Sequence, residues 1–240
     1  MKYLIAFFRF ILLAFFTTFW WILGMICFYL SRNRLKTSER MVKQWAKTAL
    51  KILSVKIDFY GELPLVPVIV MANHRSYLDV MLILSMHPAA IVGKKELSRW
   101  PVIGQAVKVA RMILVDRSNA KSLMHTMALI GKEVKNGNSV IVFPEGTTYP
   151  GPLTGNFKGG TFAVAVQQQV PVLPCAIHLT NVNDAWIGED PFLFHFLRQM
   201  GKRKTHVKMW FGEPVLAKDA HQLIDRIKNT IDQKLNEFTR

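Results

Sequence analysis

Two short apolar runs flanking a seven-residue polar stretch constrain the fold more than any other part of this 240-residue chain. Val68-Ile69-Val70-Met71-Ala72 is rich in β-branched residues, and Val80-Met81-Leu82-Ile83-Leu84 follows Asn73-His74-Arg75-Ser76-Tyr77-Leu78-Asp79. A β-branched run ending in Asn-His, then a longer apolar segment, predicts strand, tight turn and helix. It sets a histidine at the carboxyl end of a strand, where open α/β sheets gather their ligand sites. Asp79 lies about one and a half helical turns further on, at ~3.6 residues per turn. A helix starting near Ser76 lets that carboxylate fold back onto the imidazole. A carboxylate on one ring nitrogen fixes the tautomer and raises the basicity of the other. His74 and Asp79 are therefore a candidate general base for a hydroxyl group.

The pattern repeats downstream. Ser139-Val140-Ile141-Val142-Phe143 is a second β-branched run, and it ends in the turn Pro144-Glu145-Gly146-Thr147-Thr148 with a single carboxylate. Further strand-like runs lie at Val55–Tyr60, Val66–Ala72, Ala89–Gly93, Met112–Val115, Val172–Leu179 and Val207–Phe211. Helical patterns at Tyr77–Met86, Ser118–Lys135, Gly159–Gln169 and Asp219–Phe238 alternate with them. Alternating strands and helices predict an α/β domain with a mainly parallel or mixed sheet flanked by helices. The stretch Asn181–Lys204 breaks this periodicity and carries Trp186, Phe192, Leu193, Phe194, Phe196 and Leu197. It reads as a loop and helix at a membrane or substrate entrance, or as a packed insertion.

The amino-terminal end is of another kind. From Phe10 to Ser31 there is no charged residue, and the run is long enough for a membrane-embedded helix that stays in the mature protein. Residues 35–53 follow with Leu35, Met41, Val42, Trp45, Ala49, Leu50, Ile52 and Leu53 among Lys36, Arg40, Lys43, Lys47 and Lys51. This predicts a basic amphipathic helix at an anionic lipid surface, or an ordinary surface helix packed on the domain. Residues 1–54 form the expected anchor and 55–240 the α/β domain. Basic residues are denser after the apolar segment than before it, which sets the remainder of the chain at the cytoplasmic side of a cell inner membrane. The net charge is +15, and nine basic residues against one acidic in 1–54 put +8 of it at the membrane end. That distribution argues against nucleic acid as a partner. Cys27 and Cys175 have no disulfide or metal-ligand spacing, so neither a bridge nor a bound metal is expected.

His74 and Asp79, followed by Phe143-Pro144-Glu145-Gly146-Thr147, resemble the first and third blocks of the glycerolipid acyltransferase family, whose best-known members are lysophosphatidate (1-acylglycerol-3-phosphate) acyltransferases. Lys94-Lys95-Glu96-Leu97 with Pro101, Gly104 and Ile113-Leu114-Val115-Asp116-Arg117 resemble the second block. Val170-Pro171-Val172-Leu173-Pro174-Cys175-Ala176-Ile177 resembles the fourth. Four blocks in order over roughly residues 60–180 make a specific signal. The resemblance implies transfer of a fatty acyl group from a thioester, acyl-CoA or acyl carrier protein, to the free hydroxyl of a lysophospholipid, with lysophosphatidate as the default acceptor. It implies direct attack without an acyl-enzyme, in keeping with the lack of a Gly-x-Ser-x-Gly elbow in this sequence. His74 and Asp79 would be catalytic. Lys94, Arg117, Glu145, Gly146 and Thr147 would bind substrate, and no further cofactor is implied.

The sequence departs from the family at two places. Arg111 stands where the second block commonly has Gly, and Thr148-Tyr149 stands where the third often has Arg-Ser. Both leave the reaction type intact and keep open another acceptor, such as lyso-ornithine lipid or a lysophospholipid with a larger head group. A non-catalytic lipid-binding protein on the same fold is the alternative from another class.

Overall fold

The computed structural model describes residues 2–99, 104, 107, 110–116 and 118–240. Its centre is a seven-stranded mixed sheet built from β1 (Val55–Gly61), β2 (Ile69–Ala72), β3 (Ala90–Lys94), β4 (Met112–Val115), β5 (Val140–Val142), β6 (Val172–Leu179) and β7 (Thr205–Phe211). The spatial order is β1-β7-β6-β2-β5-β3-β4, and every neighbouring pair is parallel except β6 and β7. Each strand predicted from the sequence is present. β2 is the central strand and is buried along its whole length, so its unbroken apolar run suits a strand covered on both faces.

Helices cover both faces. On one, α2 (Arg34–Ile52) and α3 (Leu78–Met86) pack with the inward residues Val70, Ala72, Leu173 and Ile177. α3 is short and apolar nearly all round because it lies between the sheet and α2. On the other face, α4 (Ala120–Lys135), α5 (Gly160–Gln167) and α7 (Ala220–Thr239) enclose a second core. The stripe Leu223, Ile227, Ile231 and Leu235 gives α7 its buried side at a spacing of four residues. α6 (Phe192–Met200) lies in the segment between β6 and β7.

The amino-terminal apolar segment forms α1 (Lys2–Leu30), a helix long and apolar enough to cross a bilayer. It folds back antiparallel along α2. Trp20 Nε1 donates to Thr48 Oγ1 at 3.1 Å, and Trp45 Nε1 donates to Thr17 Oγ1 at 3.3 Å. Near its start, Arg9 donates to the carbonyls of Met200 and Lys202 and to Ser54 Oγ. Of the two readings of α2, its geometry matches the packed surface helix. Ala46, Ala49 and Leu50 are buried, Lys43 Nζ donates to Met86 O at 2.8 Å, and Arg34, Lys36, Arg40, Lys47 and Lys51 face outward. The apolar side that reads in sequence as lipid-facing is spent on protein contacts. α1 instead carries the exposed apolar surface, with Tyr3, Phe7, Phe8, Phe15 and Tyr29 each more than half exposed.

Candidate active site

Parallel pairing of β2 with β5 brings the two polar turns side by side at the carboxyl ends of the strands. Asn73, the first residue beyond β2, is fully buried and pins that turn to β6. Its Nδ2 donates to Ile177 O and its Oδ1 accepts from Ile177 N, both at 2.8 Å. His74 follows, and the chain turns into α3 with Asp79 in the first helical turn.

The Asp79 side chain is wholly buried, and three donors converge on its Oδ2. These are His74 Nδ1 at 2.8 Å, Arg75 N at 2.6 Å and Ser76 N at 2.8 Å. An oxygen already accepting two backbone N–H groups fixes the proton on His74 Nδ1. Nε2 is left as the basic nitrogen. The Phe143 ring stacks on the imidazole with centroids 4.1 Å apart and planes 20° apart, which restricts its rotation. His74 retains 19% side-chain exposure, whereas Asp79 retains none. The sequence-predicted pair is brought together in hydrogen-bond geometry.

Glu145 has a different place from an open substrate ligand. Its carboxylate is buried, with Oε2 accepting from His74 N and Oε1 from Gly155 N, both at 2.8 Å. Burial pushes its pKa up, opposed by those two N–H groups and by the Arg75 guanidinium 3.8 Å away. Its carboxylate thus clamps the β5 turn and the 155 loop onto the histidine backbone. Gly146 adopts φ +77°, a left-handed conformation suited to glycine, and its N–H donates to Phe143 O at 3.0 Å. Thr147 is exposed at the tip of this turn. Lys158 approaches it so closely that a Cβ on Gly146 would lie 2.8 Å from its Nζ.

Arg75 is a buried structural cation. Its two terminal nitrogens donate to Tyr149 O and Leu153 O, each at 2.7 Å, while Tyr149 N returns a bond to His74 O at 2.9 Å. The 149–155 loop is thereby laced to the His74 turn, and Asp232 of α7 accepts from Thr154 N at its far side. Arg111, the departure from the family in the second block, is held by carboxylates away from His74. With φ +52° it sits just before β4, paired with Glu39 of α2 at 3.1 Å and with Glu133 of α4. Lys94 is exposed at the end of β3, at the same carboxyl end of the parallel strands as His74. Arg117 and Pro101 lie outside the described residues. Cys175 is fully buried, and burial followed by the Asp79 charge pushes its thiol well up, which disfavours a thiolate nucleophile. Both cysteines are free, and among the described residues no cluster has the donors for a metal.

Comparison with known proteins matches residues 55–178 to the acyltransferase family model. Two relatives named lyso-ornithine lipid O-acyltransferase align over most of their length. The one from Rhizobium meliloti is 27% identical, covering 89% of this chain and 78% of the relative. The one from Pseudomonas aeruginosa is 28% identical, covering 80% and 79%. A 1-acyl-sn-glycerol-3-phosphate acyltransferase from the same organism is 31% identical, covering 57% of this chain and 56% of the relative. Among solved structures, the 1-acyl-sn-glycerophosphate acyltransferase of Thermotoga maritima superposes with a TM-score of 0.78 at 22% identity, covering 98% of this chain and 95% of that one. The two proteins share the α/β fold.

Proposed function

The chain belongs to the acyltransferase family, and from that premise we propose that His74 and Asp79 catalyse direct acyl transfer from a thioester to the free hydroxyl of a lysophospholipid. The observation carrying this reading is the Asp79–His74 Nδ1 bond, which leaves a basic Nε2 on a side chain that keeps 19% exposure. Nε2 takes the acceptor proton as the hydroxyl oxygen attacks the thioester carbonyl. The buried carboxylate stabilises the imidazolium, and the imidazolium returns its proton to the departing thiolate as the tetrahedral intermediate collapses. Among the described residues the N–H groups of Thr147 and Thr148 carry no hydrogen-bond partner, and they suit the developing oxyanion. The Gly146 N–H is committed to Phe143 O.

The acceptor reading is lysophosphatidate, with Lys94 and Arg117 as its phosphate ligands and acyl-CoA or acyl carrier protein as donor. A second reading, lyso-ornithine lipid, is supported by two relatives of that name that align over most of their own length and by Thr148 in place of an arginine. Residues 1–54 act as the anchor and 55–240 as the catalytic part. The exposed side of α1 enters the cytoplasmic face of the inner membrane, and the basic side of α2 meets anionic lipids. The test offers the purified full-length protein, in vesicles, a panel of lysolipids with each donor and identifies products by mass spectrometry. Phosphatidate formation supports the first reading. Acylation of lyso-ornithine lipid alone selects the second, and no acylated product from any lysolipid overturns both.

A further inference from the structure

Helix α6 has two unlike sides. Phe192, His195, Phe196, Gln199 and Met200 turn inward, whereas Leu193, Phe194 and Leu197 are 58%, 68% and 41% exposed. Three large apolar side chains in solvent on one nine-residue helix form an unpartnered face. Two features indicate what covers it. The helix abuts α1, which carries exposed apolar surface of its own: the end of α6 meets the start of that helix, where Arg9 donates to Met200 O and a Cβ on Gly201 would lie 3.2 Å from Lys2 O. Exposed cations also lie near it in the chain, Arg203 and Lys204 standing three and four residues beyond the last helical residue. Apolar side chains with cations nearby in the chain fit a bilayer with anionic head groups.

The inward side leads to the catalytic turn. Tyr77 packs edge-on against Phe192, His195 and Phe196, with ring centroids 5.3, 5.6 and 5.7 Å away. His195 is buried and its Nε2 donates to Ala185 O at 3.0 Å, so its Nδ1 accepts the Tyr77 hydroxyl at 3.2 Å. Trp186 N donates to Arg75 O at 2.8 Å. The segment carrying α6 is thus attached on both sides of Ser76, two residues from His74.

We propose that α6 is a second bilayer-inserting element, with Leu193, Phe194 and Leu197 among the lipid acyl chains, and that it registers the catalytic turn against the membrane surface. The registration part rests on the acyl-transfer reading above, whereas insertion of α6 does not. In the full-length protein with Cys27→Ser, which keeps only the fully buried Cys175, one exposed cysteine is introduced at Phe194, at Phe15 on α1, or at Gln222 on the opposite side of the sheet and labelled with an environment-sensitive fluorophore. The proteins are reconstituted in phosphatidylethanolamine–phosphatidylglycerol vesicles with or without brominated acyl chains. Bromine quenching at 194, with none at 222, is expected. A label at 194 as unquenched as that at 222, while the one at 15 is quenched, overturns the proposal. Quenching at 194 without quenching at 15 upholds it and removes α1 as the anchor. Phe194→Asp should lower transfer to vesicle-borne acceptor about tenfold or more, from the lost apolar contact. Turnover of a short-chain monomeric lysolipid should be unchanged. Equal losses on both acceptors would make α6 a packing element only.

Discussion

Replacing Asp79 with Asn separates the electrostatic part of this site from its shape. The carboxylate accepts three hydrogen bonds on Oδ2, while Oδ1 is buried and accepts none among the described residues. An amide can keep its oxygen under the same three donors and set its NH2 where Oδ1 was. The turn should therefore persist, at a stability cost of about 1–3 kcal/mol for one buried unpaired donor group. For a chain of this size that lowers the melting temperature by roughly 2–4 °C per kcal/mol. The rate should respond far more. As the acceptor proton arrives, His74 becomes an imidazolium whose Nδ1 lies 2.8 Å from the carboxylate. Unit charges at about 4 Å interact by about 4 kcal/mol at an effective dielectric constant near 20, so losing the charge should slow turnover by about a thousandfold. The Michaelis constants of both substrates should change little. Thiol release from acyl-CoA in vesicles, beside thermal unfolding in detergent, measures the two effects. A folded Asp79→Asn protein keeping more than about a tenth of wild-type turnover would refute the charge argument.

Three other perturbations follow from the geometry. His87 Nε2 lies 2.8 Å from Ser139 Oγ, and burial followed by the Lys43 charge lowers its pKa from 6.5 to about 4. The unfolded chain therefore binds a proton that the native protein refuses between those values. Stability is complete above about pH 6.5 and falls toward pH 4, by about 2 kcal/mol at pH 5; His87→Gln should flatten that part of a urea-midpoint profile. Arg111→Ala removes a cation shared by Glu39 and Glu133 and should cost about 1–3 kcal/mol in chemical denaturation. It should not change acceptor preference, and a shift in product profile would return Arg111 to the head-group site. Gly146→Ala forces a methyl group onto φ +77° beside the movable Lys158 ammonium. The expected result is a loss of about 1–2 kcal/mol in thermal unfolding, with a parallel drop in turnover from the distorted turn.

Much of this arrangement was legible in the sequence because it is local. β-branched runs bounded by turn residues mark the strands, and the four residues between His74 and Asp79 suffice to close the pair. Long-range bonds were not legible. Nothing near Asn73 announces Ile177 as its partner, and nothing near Glu145 indicates that its carboxylate is spent on His74 N and Gly155 N. Arg75 looks like any loop cation until the chain returns with Tyr149 and Leu153. The α2 pattern misleads for a related reason. A helix with an apolar stripe and lysines on the other side presents the same periodicity to a bilayer as to α1 and α3, and only the tertiary fold decides between them.

The central claim is that His74 Nε2 removes the acceptor proton. Its most direct test is the turnover of His74→Ala in vesicles, with acyl-CoA and the lysolipid accepted by the wild-type protein. The same preparation should be shown to melt within a few degrees of wild type. General-base catalysis contributes roughly 10²–10⁴-fold, so turnover should fall by that factor while membrane attachment persists. Near-wild-type turnover in the folded variant would contradict the mechanism.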